Sequence, residues 1–316
     1  MDRPNPRRNV HSENRYQLLD EMPFAKGSFG KVLRALDREH TDVGAVAIKI
    51  QKQTVEARAD LHWHLPFTVR AHANVQSLLN AWHRKGDYCM VMQLAPLDLY
   101  RLWTHYGGLL PMAQRQHIAR GLAQGIAHLH ANACVHCDLS SGNVLIFTGS
   151  GGSLRPVISD FGGASTVGKD GACPLVSRGT AYIRAPECWL QANTGTKAID
   201  LWALGAIGLM LVSGTIWGVQ DAREKPTDSP VLWLRKMVWA TGPMAPETWK
   251  IPFNRNRCKE HLRMALLGKD EGGFQKLELM VQCPTVVRRG ICMSDVLPLC
   301  ILALFCLLYT SDAADE

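Results

Sequence analysis

The chain has 316 residues, 35 Lys plus Arg against 28 Asp plus Glu, a formal charge of +7, and 47% hydrophobic and 20% charged residues. These values are ordinary for a globular protein and exclude a disordered chain, a collagen-like repeat and a polytopic membrane protein. A chain of this length buries roughly 75% of its unfolded surface without disulfide or metal staples, so one large domain or two lobes are expected. Basic and acidic residues are interspersed, which argues against a nucleic-acid-binding patch. The ten cysteines fit no small disulfide scaffold. The start, MDRPNPRRNVHSENR, is polar and carries no apolar signal-peptide core, so a reducing cytoplasmic or nuclear setting is expected.

Residues 1–15 read as a flexible basic tail. From Tyr16 to Leu94 the pattern favours short strands. Lys31 to Leu36 alternates, and Val46–Ile50 and Tyr88–Met92 are compact apolar runs. Thr54 to Leu65, between those runs, reads as the single helix of this part. After Pro96 the character changes. Gln114 to Ala131 sets Ile118, Leu122, Ile126 and Leu129 on one stripe, the spacing of an amphipathic helix. Val144–Phe147 and Val157–Ile158 read as strands around a hairpin loop, Gly149–Ser153. Asp200 to Ser213 is apolar nearly all round and predicts a buried central helix. A strand-rich first third followed by helices predicts an α+β protein of two lobes. Leu299 to Tyr309 is an apolar run of eleven, short of the about 20 residues that a membrane span needs. Thr310 to Glu316 resembles translated sequencing-adapter sequence; a frayed helix is the plainer reading.

Six short pieces carry chemistry in a fixed order. Ala25-Lys26-Gly27-Ser28-Phe29-Gly30-Lys31-Val32 is a glycine-bearing turn between strands, able to lay backbone amides over phosphates. Read alone it is a plain hairpin, and Val32 excludes a Walker loop. Lys49 ends Ala47-Ile48-Lys49 and could neutralise phosphate charge. His136-Cys137-Asp138 precedes Asn143: Asp138 could accept a hydroxyl proton and Asn143 could ligate Mg²⁺. Asp160-Phe161-Gly162 follows a strand, and Asp160 could hold the metal. Ala185-Pro186-Glu187 and Asp200-Leu201-Trp202 complete the set.

In this order the pieces make the chain resemble a eukaryotic protein kinase from about Tyr16 to Leu297. Met92-Gln93-Leu94-Ala95-Pro96-Leu97-Asp98-Leu99, Arg184 ahead of Ala185, and Thr241 to Trp249 are similar to segments of the CMGC, cyclin-dependent-kinase-like group. The resemblance implies a bilobal fold, with a small β-rich N-lobe over 16–94, a larger helical C-lobe over 95–297, and a tail over 298–316. It implies serine/threonine phosphorylation of a protein substrate with ATP and Mg²⁺, and it allows a regulatory protein partner. Nucleic acid and membrane are not expected partners.

The same resemblance implies site roles. Ala25, Lys26, Gly27, Ser28, Phe29, Gly30 and Val32 would cover the phosphates, and Lys49 would hold the α- and β-phosphates. Met92 would be the gatekeeper and Ala95 the adenine-binding hinge, with Ala47 and Asp98 also at the nucleotide. Asn143 and Asp160 would hold Mg²⁺. Asp138 would orient the substrate hydroxyl and take its proton. Thr180 would sit beside Asp138, Glu187 would pair with Arg288 or Arg289, and Asp200 would be a structural support.

Four positions depart from the family pattern. Ala25 replaces the first loop glycine. Cys137 replaces the arginine that receives an activation-loop phosphate, which predicts activity independent of phosphorylation at Ser165, Thr166 or Ser177. Ser140 replaces a lysine that contacts the γ-phosphate. The helix acid that should meet Lys49 is Glu56 or Asp60, with Glu56 the leaning. These departures favour the competing reading, a weak or inactive pseudokinase acting as a nucleotide-binding scaffold. Cys134-Val135-His136-Cys137 lacks the second ligand pair of a zinc site. His62, His64, His72 and His83 read as a solvated face.

Overall fold

The computed structural model describes residues 12–27, 30–40, 44–175, 179–180, 183–185, 188 and 194–214. Ser28, Phe29, Ser177, Pro186, Glu187, Arg288, Arg289, the Thr241–Trp249 segment and the tail over 298–316 lie outside them.

The first element is a helical turn, α1 (Ser12–Arg15), where a flexible tail was expected. Arg15 holds it to the fold through a bidentate ion pair with the buried Asp37, at 2.8 and 2.6 Å. An antiparallel sheet follows: β1 (Tyr16–Leu18), β2 (Ala25–Gly27), β3 (Gly30–Asp37), β4 (Ala45–Lys52), β5 (Asn80–Arg84) and β6 (Asp87–Gln93). Its order is β1-β3-β4-β6-β5, with β2 also paired to β3. The alternation read in 31–36 buries Leu33 and Ala35 and turns Leu36 outward. Ala35, Val46, Ile48, Val91 and Trp82 pack on one face, with Tyr16 stacked on Trp82.

Between β4 and β5 runs α2 (Val55–Val69). Thr54 is its N-cap and accepts from the Ala57 amide at 3.2 Å. The helix outlasts the expected end at Leu65, because Pro66 costs one backbone hydrogen bond while the packing of Trp63 and Phe67 continues.

The second part begins with β7 (Leu97–Asp98), α3 (Leu99–His105), α4 (Met112–Ala131) and β8 (Cys134–Val135). The hairpin of β9 (Val144–Thr148) and β10 (Leu154–Ile158) follows, in the register Leu154 opposite Thr148. Short strands β11 (Ser165–Thr166), β12 (Cys173–Pro174) and β13 (Thr194–Gly195) precede α5 (Ala198–Ser213). The α4 stripe is buried as its spacing predicted: Ile118, Leu122, Ile126 and Leu129 enter the main core with Ile207, Met210 and Phe161. The side of α4 at Gly121 and Gly125 lies so near β10 that a Cβ at Gly125 would stand 2.8 Å from the Ile158 side chain. The fold is therefore an α+β arrangement of a β-rich first part and a helical second part. Among the described residues, no helix is long and apolar enough to cross a membrane.

Candidate active site

The site is built from β4, α2 and the two loops that follow β8 and β10. Lys49 lies on β4 opposite Val32 of β3 and Met90 of β6, so the sheet fixes its backbone on both sides. Its ammonium donates to Asp60 Oδ2 at 2.7 Å and to Asp160 Oδ1 at 2.9 Å. With its amide turned to satisfy both neighbours, Gln51 donates to Asp60 and accepts from Lys49, each at 3.2 Å. Burial alone would lower the Lys49 ammonium, but the two carboxylates outweigh it and push its pKa up to about 12. Burial likewise opposes the charged form of Asp60, yet Lys49 and then His64 hold its carboxyl well below the usual range.

The helix acid is thus Asp60, correcting the leaning toward Glu56. Glu56 lies in the first turn of α2, where a carboxylate complements the helix N-terminus. One turn on, Asp60 is fully buried and also accepts from the Phe161 amide through Oδ1 at 2.9 Å. His64 corrects a second expectation. It is buried inside the fold rather than solvated, and its ring meets Phe161 edge-on at 4.8 Å.

The loop after β8 carries His136, Cys137 and Asp138. Buried Asp200 of α5 organises it by accepting from the His136 and Cys137 amides at 2.8 and 2.9 Å, with His130 Nε2 also 2.9 Å away. This clamp holds Cys137 in the left-handed region at φ 61°, a conformation that costs a residue with a Cβ about 1–3 kcal/mol and needs such overdetermination. His136 Nε2 lies 3.0 Å from the Ser159 carbonyl, and its Nδ1 accepts from the Asp138 amide at 3.3 Å. The backbone is therefore pinned on both sides of Asp138.

Asp138 accepts from the Thr180 hydroxyl at 3.0 Å, while its carbonyl accepts from Asn143 Nδ2 at 2.7 Å. Burial raises its carboxyl above the ordinary range, against the pull of His136 and Thr180. Asp160 follows β10 at φ 64°. A shallow cleft beside Asp138 is walled by Leu139, Gly179, Thr180, Ile183 and Arg184.

The residues expected around a nucleotide lie at the edge of the sheet and the start of the second part. Ala47 and Met92 are cross-strand neighbours. Ala95 packs with Phe147 and Val157. Asp98 caps α3, its side chain accepting from the Arg101 amide at 2.8 Å. Ala25, Lys26 and Gly27 pair in order with Val32, Lys31 and Gly30, so the strands flanking the expected phosphate loop run antiparallel. Gly30 has a packing reason of its own: a Cβ there would collide with the Ile50 carbonyl.

The departures acquire physical content. Ser140 is buried, and its Oγ accepts from the Asn143 amide at 3.3 Å, capping the short 3₁₀ turn Ser141–Asn143. Cys137 packs with Val135 and Cys173, flanked by Val167 and Leu175. A buried thiol, donating to the Val135 carbonyl at 3.6 Å, therefore occupies the place expected of an arginine. Among the described residues, no group of three or more His, Cys, Asp or Glu side chains could hold a metal ion.

Comparison with known proteins bears on the family. The family description "Protein kinase domain" matches residues 21–261. The dual specificity tyrosine-phosphorylation-regulated kinase 2 of Drosophila melanogaster is 28% identical over 211 residues, covering 65% of this chain and 28% of that protein. A serine/threonine-protein kinase H1 homolog of Danio rerio is 31% identical over 206 residues, covering 64% of this chain and 48% of its own length. A probable CTD kinase subunit alpha homolog of Encephalitozoon cuniculi is 34% identical over 122 residues, covering 39% of this chain and 35% of that protein. The chain thus spans less than half the length of each of these relatives.

Proposed function

The chain belongs to the protein kinase family and resembles its CMGC group, and we propose that it is a serine/threonine protein kinase transferring the γ-phosphate of ATP to protein hydroxyl groups. One observation carries the reading. Lys49, Asp60 and Asp160 form a single charge network, and Asn143 and Thr180 hydrogen-bond Asp138 beside it.

The roles follow from that geometry. Lys49 is held charged and aimed by two carboxylates, ready for the α- and β-phosphates. Asp160 and Asn143 offer a carboxylate and an amide oxygen, the hard donors that suit Mg²⁺. Asn143 commits its nitrogen to the Asp138 carbonyl, and no described hydrogen bond engages its oxygen. Bound Mg²⁺ would neutralise charge on the phosphates. Asp138 receives the proton of the attacking serine or threonine hydroxyl as the new O–P bond forms and the bond to the ADP oxygen breaks. Thr180 keeps its carboxylate oriented. Catalysis of this kind is positioning plus electrostatics, which a pinned loop supplies.

The scaffold alternative loses one of its supports, since Asp60 fills the place of the absent helix glutamate. Protein substrates carrying a serine or threonine acceptor suit the Asp138 carboxylate as proton acceptor, and a regulatory protein partner remains part of the proposal. A cytoplasmic or nuclear setting is part of the same proposal, since a domain of this length needs no disulfide staple. Phosphoamino-acid analysis of a general protein acceptor after incubation with Mg-ATP tests the reading. Phosphoserine and phosphothreonine are expected. Mg-ATP raising the melting temperature with no phosphate transferred would favour the scaffold instead.

A further inference from the structure

His64 is a buried titratable side chain that the roles above leave unused. Its ring nitrogens face two oxygens. Nδ1 lies 3.1 Å from the Gln76 carbonyl, while Nε2, buried and without an aligned hydrogen bond, lies 3.3 Å from Asp60 Oδ1. Both oxygens are acceptors. Either ring nitrogen, when it carries a proton, can donate to the oxygen it faces. Asp60 needs this support, because both its oxygens are shared: Oδ2 takes Lys49, and Oδ1 takes the Phe161 amide. His64 stands one helical turn after Asp60 on α2, where side chains share a face. Its ring also closes on Phe161, the residue after Asp160, whose far side meets His136 at 5.3 Å.

We infer that His64 is a positioning residue for phosphate binding, acting through Asp60. The Gln76 carbonyl, itself on the chain that pairs with Ile158 at the end of β10, anchors one nitrogen. The other nitrogen fixes the Asp60 carboxylate in the rotamer that meets Lys49. Without it, Lys49, Gln51 and the Phe161 amide alone orient Asp60, and the aim of Lys49 at the phosphates loosens. The inference rests on the kinase reading of the site for its consequence in turnover, but its binding consequence stands separately.

Two substitutions in the full chain separate donation from packing. His64→Phe keeps a flat ring against Phe161 and removes both donors. His64→Gln loses the ring and keeps an amide donor able to reach Asp60. Mg-ATP affinity by calorimetry and the KM for ATP are measured beside thermal unfolding. The expected result is affinity roughly tenfold weaker for His64→Phe, as for loss of a hydrogen bond to a charged group. KM should rise in step and kcat should fall less, while His64→Gln stays within about threefold of the parent. Parent-like affinity in His64→Phe overturns the inference. So does an equal loss in both variants, which would mark a packing role. If the parent binds Mg-ATP but transfers no phosphate, the kinase reading fails, while the affinity comparison still decides the role of His64.

Discussion

Asp60 carries the site's charge balance, and its neighbours make that testable. Removing one member of a buried pair leaves the other charge unpaired, at a cost of about 3–5 kcal/mol. Asp60→Asn should therefore lower the melting temperature and weaken Mg-ATP binding at least tenfold, while Glu56→Gln should leave both nearly unchanged. The pH dependence has a defined sign. The Asp60 carboxyl is depressed on folding, so its stabilisation exists above the ordinary carboxylate value and is lost only in strong acid. The Lys49 ammonium is raised, so its stabilisation is full below its ordinary value of 10.5 and fades as pH rises through about 12. The melting-temperature loss in Asp60→Asn should accordingly be the same at about pH 6 and pH 9; a loss that vanishes at either pH would refute the buried pair. The acid itself was half legible from sequence. Glu56 and Asp60 were both in view, but the choice depends on which helix face turns toward β4, and a helix whose apolar residues form no clean stripe does not announce that face.

Among the elements, the loop carrying Asp138 shows how distant sequence becomes one surface. The order of the motifs predicted that Asp138, Asn143 and Asp160 belong together. It did not reveal that Asp200, 64 residues beyond His136, is the acceptor that holds the loop's backbone. Such a clamp depends on where α5 docks, which no local pattern records. Cys137 is the opposite case. Its identity marks a missing cation, and the structure shows its side chain packed with Val135 and Cys173, the thiol donating to the Val135 carbonyl at 3.6 Å. Cys137 and Cys173 thus meet by packing at a point where the family pattern would set an arginine for a phosphate. Phosphatase treatment should leave the transfer rate within about twofold, since it removes no contact at this point. A fall of an order of magnitude would show that a phosphate orders the segment elsewhere. Ser140 was likewise read as a lost lysine, and its capping bond to Asn143 gives it a local role that only the turn geometry reveals.

The whole molecule joins a β-rich part that presents Lys49 to a helical part that presents Asp138, Asn143 and Asp160, and the bonds from Lys49 to Asp160 and from Asp60 to Phe161 tie the two. The architecture was legible because strand alternation and the α4 stripe are strong local signals. What escaped the sequence was the buried polar wiring, where single contacts across more than a hundred positions decide a residue's role. The account stands or falls on catalysis by Asp138. A transfer assay with radiolabelled ATP and Mg²⁺ should show incorporation into a serine/threonine acceptor by the parent chain. In Asp138→Asn it should fall by about 10²–10⁴-fold, the usual contribution of a general base, with Mg-ATP affinity retained. Equal incorporation by the parent and Asp138→Asn, or none by the parent, would contradict it.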